Sequence, residues 1–170
     1  RTSWDLAREQ GADEGWIASA RDERNAHYQR LLRTQPIEID GVDDVLAELA
    51  ARHRLAIVTT SRRADFELIH RERRLLRHFA FVLTVEDYPR AKPHPAPYLA
   101  ALERFDALPR DALVVEDTAR GLAAARAAGL DCIVVRTPFT RTEDVREAVC
   151  VVDSTRDVPD AVRSWSAAGA

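Results

Sequence analysis

Ala112-Leu-Val-Val-Glu-Asp-Thr-Ala-Arg-Gly-Leu-Ala-Ala-Ala-Arg-Ala-Ala-Gly129 is the stretch whose reading decides the fold. Its start, Ala112 to Val115, is short, apolar and β-branched at its end, which predicts a strand buried on both faces. Glu116 and Asp117 follow where that strand should stop. The alanine-rich run from about Thr118 to Ala128 predicts a helix, with Gly129 placed to end it. In an open parallel sheet, ligands bind outside the carboxyl ends of the strands. Two adjacent carboxylates there repel one another unless a cation or proton relieves them. Mg²⁺ suits the pair, because it takes oxygen ligands and is commonly held by one or two carboxylates plus substrate phosphate. The plainer reading is that Asp117 or Thr118 simply caps the helix.

Outward from this stretch the chain repeats the same alternation. Val42, Val45, Leu46 and Leu49 recur at helical spacing, predicting a helix over residues 42–52. Leu55 to Val58 is a short strand ending in Thr59-Thr60-Ser61. A helix carrying Phe66 and Ile69 follows, then a strand from Phe79 to Thr84. The loop Ala91-Lys92-Pro93-His94-Pro95 leads to a helix carrying Tyr98, Leu99, Leu102 and Phe105. Cys132 to Val135 and Val149 to Val152 are further strands, and a helix from Val158 to Trp165 closes the chain. Strands alternating with helices predict βαβ units and a doubly wound parallel, Rossmann-like α/β sheet. Residues 1–36 carry charge, tryptophan and helical spacing but no strand signal, and read as a partial helical cap. Residues 37–153 form the α/β core, and 154–170 a terminal helix and tail. Trp16, Arg21 and Tyr28 are read as packing or solvated surface of the cap.

Composition narrows the function. With 170 residues, 46% apolar and 31% charged, the chain suits one soluble globular domain. A net charge of −3 gives no footprint for nucleic acid. Arg71, Arg73, Arg74 and Arg77 are read as a solvated face. No apolar run approaches the ~20 residues of a membrane span, and no signal peptide is visible. Cys132 and Cys150 have no metal-ligand spacing, which points to a reducing cytoplasm. Methionine is absent, so residue 1 is not expected to begin a translated protein. Lys92 is the only lysine among 25 lysine and arginine side chains. An ammonium is not interchangeable with a guanidinium fork, so its retention beside Pro93 points to a chemical need.

Three features thus fall at the carboxyl ends of different strands: the Thr59 hydroxyl and backbone N–H, the Lys92 ammonium, and the Glu116–Asp117 pair. Each alone has an ordinary structural explanation. Together they can surround a phosphoryl group and neutralise the charge of its transfer.

Ala56-Ile57-Val58-Thr59-Thr60-Ser61, Ala91-Lys92-Pro93 and Val114-Val115-Glu116-Asp117-Thr118 with its Gly121 and alanine-rich helix resemble, in order, the second, third and fourth motifs of the haloacid dehalogenase-like phosphohydrolases with a small helical cap. The resemblance implies a Mg²⁺-dependent phosphatase acting on a small-molecule phosphate monoester through an aspartyl-phosphate. It implies that Thr59, Lys92 and Asp117 are catalytic, that Thr59, Thr60 and Lys92 bind phosphate, and that Glu116 and Asp117 bind the metal. The family's first motif, Asp-x-Asp, has no counterpart. Ile37-Glu38-Ile39-Asp40-Gly41 lacks the paired aspartates and sits where the cap returns to the core. The nucleophile and the first, central strand are therefore expected to be missing, and this chain alone to be inactive. Two sheet edges would then carry unpaired backbone groups, each costing about 1–3 kcal/mol if buried. A non-catalytic phosphate- or partner-binding remnant and a phosphosugar mutase of the same fold are the alternatives. Oligomeric state and substrate identity are not legible.

Overall fold

The computed structural model describes residues 3–35, 39–138, 140 and 144–168. The boundary expected at residues 36 and 37 and the start of the Ile37–Gly41 link lie outside these. The elements run α1 (Ser3–Glu9), α2 (Glu14–Thr34), α3 (Val42–Ala50), β1 (Leu55–Val58), α4 (Arg63–His70), β2 (Phe79–Leu83), α5 (Ala96–Phe105), β3 (Leu113–Glu116), α6 (Ala119–Ala127), β4 (Asp131–Val135), β5 (Cys150–Val152) and α7 (Val158–Ala168). Helix α3 stops two residues short of the expected Arg52. None of the described helices is long and apolar enough to cross a membrane.

Every ladder is parallel. β1 pairs with β2, Val58 opposite Leu83, and β4 pairs with β3 on one side and β5 on the other. Among the described residues no strand joins β1 to β3, so the sheet is two pieces, β2–β1 and β3–β4–β5. The expectation that Ala112–Val115 is buried on both faces is corrected. Val114 is 8% exposed but Val115, whose side chain points to the opposite face of the strand, is 44% exposed.

Helices cover both faces, as a doubly wound sheet requires. On one face Tyr98 and Leu102 of α5 and Leu122, Ala124 and Ala125 of α6 pack with Val114, Cys132 and Val134. On the other, Val158 and Val162 of α7 pack on Ile133, with Leu49 of α3 against them. α5 spans the break: Tyr98 and Leu102 belong to the β3–β4 core, while Ala101 packs with Leu83 and Tyr88 on the β1–β2 side. Val58 touches both clusters. Leu99, on the same helix, is 47% exposed.

The decisive helix forms as its residues dictate. Thr118 is its N-cap, and its hydroxyl accepts the Gly121 N–H at 3.0 Å. At the other end Gly129 adopts φ +77°, and the N–H groups of Gly129 and Leu130 bond back to Arg126 and Ala125. A side chain with a Cβ would resist that conformation.

Helix α2 is tied to α4 through a buried carboxylate. Gln29 donates to Asp65 Oδ1 at 2.9 Å, and the Arg62 guanidinium grips the same carboxylate through both oxygens at 2.9 Å. Asp65 is 5% exposed. Burial opposes its ionisation, but the bonds from Arg62 and Gln29 outweigh burial and hold the pKa below the usual carboxylate range. A lowered pKa means the stabilisation is complete above the unfolded-state value and disappears as pH falls through the folded one. Asp65→Asn is expected to cost about 1 kcal/mol at neutral pH, since Arg62 is partly solvated. The gap between variant and parent in urea midpoints should close below about pH 4. A gap constant with pH would remove this assignment.

Candidate active site

The carboxyl ends of β1 and β3 meet through one side chain. Lys92, in the loop entering α5, donates to the Val58 carbonyl at the end of β1 at 2.9 Å. It also forms an ion pair with Glu116 Oε1 at the end of β3. Both side chains are buried, at 11% and 8% exposure. The lone lysine therefore stitches the two sheet fragments together at the end where an α/β fold binds ligands. Arg120 of α6 steadies its loop by donating to the Lys92 carbonyl.

Glu116 is held on every side. Tyr98 and Lys92 donate to Oε1, while the Asp117 N–H and the Thr118 hydroxyl lie 3.3 Å from Oε2. Gly121 leaves the space its carboxyl group fills, since a Cβ there would overlap it. Burial, with Glu116 adjacent, pushes the Tyr98 hydroxyl far above the ordinary phenol range, so it stays a donor. Burial likewise raises the Cys132 thiol to about 12. That sulfur is inert. Asp117 is exposed at the first position beyond β3.

On the β1 side, Thr59 and Thr60 open the loop that follows the strand. The Thr59 N–H, expected to be offered to a ligand, donates to Leu83 O at 2.9 Å and so continues the ladder. Its hydroxyl oxygen accepts the Ser61 N–H at 3.1 Å and donates to the Ser61 hydroxyl at the same distance. Tyr88 anchors this loop by donating to Thr59 O at 2.6 Å. Neither Tyr88 nor Tyr98 stands out as a site residue by sequence. For Tyr98 the available signal was a tyrosine, rather than phenylalanine, on an otherwise apolar helix face, because a buried hydroxyl needs a partner.

The metal question turns on donors. Among the described residues no group of three or more histidine, cysteine or acidic side chains gathers. Glu116 and Asp117 offer two carboxylates, with Oε2 of Glu116 carrying only the longer contacts. That set suits a magnesium ion completed by phosphate and water.

A family model described as haloacid dehalogenase-like hydrolase matches residues 2–135. The chain belongs to that family. It is 36% identical over 124 residues to a phosphoglycolate phosphatase of Nitrosospira multiformis, covering 72% of this chain and 55% of the relative. It is 32% identical over 117 residues to a pyrophosphatase PpaX of Bacillus cereus, covering 68% and 52%. Among solved structures, CbbY of Rhodobacter sphaeroides in complex with phosphate aligns with TM-score 0.74 and 30% identity, over 84% of this chain and 65% of that one. This haloacid dehalogenase-like chain thus spans about half the length of the two curated relatives it matches.

Proposed function

We propose that this protein works as a magnesium-dependent phosphatase on small phosphate monoesters, with a nucleophilic aspartate supplied from outside the described residues and an aspartyl-phosphate formed on it. The observation that carries the reading is the buried junction of Lys92 with the end of β1 and with Glu116. That is a fixed positive charge between a strand end bearing hydroxyls and a strand end bearing two acids. The phosphate bound to the Rhodobacter sphaeroides CbbY and the names of the phosphatase relatives support the same class.

In this reading Lys92 neutralises nucleophile and phosphate, and the Thr59 and Thr60 hydroxyls hold phosphoryl oxygens. Since the Thr59 N–H is engaged, its hydroxyl must make that contact, exchanging its Ser61 bonds for the ligand. Glu116 and Asp117 hold Mg²⁺, which when bound offsets the charge of the transferring group. The cap, tied down through Gln29 and Asp65, sets the choice of leaving group.

The complete gene product should release phosphate from a generic aryl phosphate only with Mg²⁺ present. Asp117→Asn should lower kcat by about 10²-fold or more. Turnover indifferent to chelator and to Asp117→Asn would end this reading. A second reading, a phosphate-binding protein without turnover, is favoured by one observation: the Lys92 ammonium is already occupied by Val58 and Glu116. It predicts phosphate binding in the complete gene product but no release from any ester.

A further inference from the structure

The Glu116 carboxylate occupies a socket built from three residues that come from different parts of the chain. Tyr98, 5% exposed on α5, donates its hydroxyl to Oε1. Lys92 donates to the same oxygen, and its ammonium lies 4.8 Å from the centre of the Tyr98 ring. The two donors thus brace each other through a cation–π contact. Gly121 of α6 supplies the volume, because a Cβ at that position would overlap the carboxyl group itself. Both strong donors converge on Oε1, whereas Oε2, against Gly121, meets only the longer 3.3 Å contacts of the Asp117 N–H and the Thr118 hydroxyl.

We propose that Tyr98 is a positioning residue of this site: with Lys92, and with the space at Gly121, it locks one oxygen of Glu116 so that the other is presented to a divalent cation beside Asp117. This rests on the metal-dependent reading above. Without the Tyr98 hydroxyl, Glu116 can rotate and offer both oxygens to Lys92. The cation then loses a preoriented ligand. Partners that orient metal ligands commonly change affinity by 10–100-fold when removed. The socket also accounts for glycine inside an otherwise alanine-rich helix, where glycine is a poor choice for helix formation.

Mn²⁺, detected by its paramagnetic resonance, is the probe for the cation on the 170-residue chain, compared across Tyr98→Phe, Gly121→Ala and Asp117→Asn. Tyr98→Phe keeps the ring and the packing. Gly121→Ala favours the helix and displaces the Glu116 carboxylate from its socket. Each is expected to weaken Mn²⁺ by about tenfold with an unchanged circular dichroism spectrum, while Asp117→Asn removes binding. A second readout needs no metal. The ¹³Cζ resonance of Tyr98 should move toward that of an ordinary phenol in Gly121→Ala, although Tyr98 itself is untouched.

Parental Mn²⁺ affinity in both socket variants, with binding still lost in Asp117→Asn, would overturn the role of Tyr98 and leave the metal reading intact. An unmoved Tyr98 resonance in Gly121→Ala would overturn the socket. Equal Mn²⁺ behaviour of the parent and Asp117→Asn would end the metal reading and this proposal with it.

Discussion

Lys92→Ala is expected to lower the free energy of unfolding by about 3–5 kcal/mol, because it strands a buried carboxylate. Glu116 is 8% exposed on its side chain, and its ion pair with Lys92 is likewise shielded from water. The substitution leaves Tyr98 as the one strong donor to Oε1 and frees the Val58 carbonyl at the end of β1. Against the roughly 5–15 kcal/mol that stabilises an ordinary domain, that loss is large. The double variant Lys92→Met with Glu116→Gln should recover most of it, since a neutral packed pair carries no uncompensated charge. Urea denaturation of the parent, Lys92→Ala and the double variant measures this directly. A cost below about 1 kcal/mol for Lys92→Ala would mean the pair is solvated, as exposed ion pairs are. The junction would then not hold the sheet together. In the complete gene product the same substitution should also lower kcat by about 10²–10³-fold, because it removes a fixed charge aimed at the transferring group.

An extended segment joined to this chain so that it pairs between β1 and β3 is expected to raise stability and, when it ends in aspartate beside Lys92, to bring phosphate release. β1 is hydrogen-bonded to β2, and β3 to β4, yet among the described residues nothing pairs their facing sides. Each backbone group newly satisfied is worth about 1–3 kcal/mol where it is buried. Amides of β1 and β3 should exchange hydrogen faster than those of β4, which lies between two strands, and should become protected when the segment is present. Asparagine in place of the terminal aspartate should keep the protection and abolish turnover of an aryl phosphate. Identical turnover with aspartate and asparagine would sink the nucleophile assignment, and unprotected edges would sink the pairing.

Much of this molecule could be read from short-range pattern. Alternation of brief β-branched runs with longer amphipathic segments placed all five strands to within about two residues, because buried parallel strands must be apolar and crossover helices must carry one apolar face. The end of α6 was legible at Gly129, since a left-handed backbone there is easy only for glycine. The site residues were legible in kind: a lone ammonium, strand-end hydroxyls and paired acids are rare together. Other details were not. Sequence spacing did not show that the Thr59 N–H belongs to Leu83, because ladder register depends on how β1 meets β2. Nor did it show Gln29 reaching Asp65, a contact made by the docking of α2 on α4, whereas Arg62 is only three residues from Asp65 in the chain.

By itself the sequence determined the element order, the parallel α/β class and the chemical identity of the candidate groups, because each follows from local propensity, periodicity and residue type. Only the tertiary structure decided that Lys92 binds the two sheet fragments through Val58 and Glu116. It alone decided that Tyr98 turns its hydroxyl to the same carboxylate, and that Gly121 exists to make room for it. Those contacts join residues from separate βα units, and their geometry exists only once α5 has packed across the break between β1 and β3.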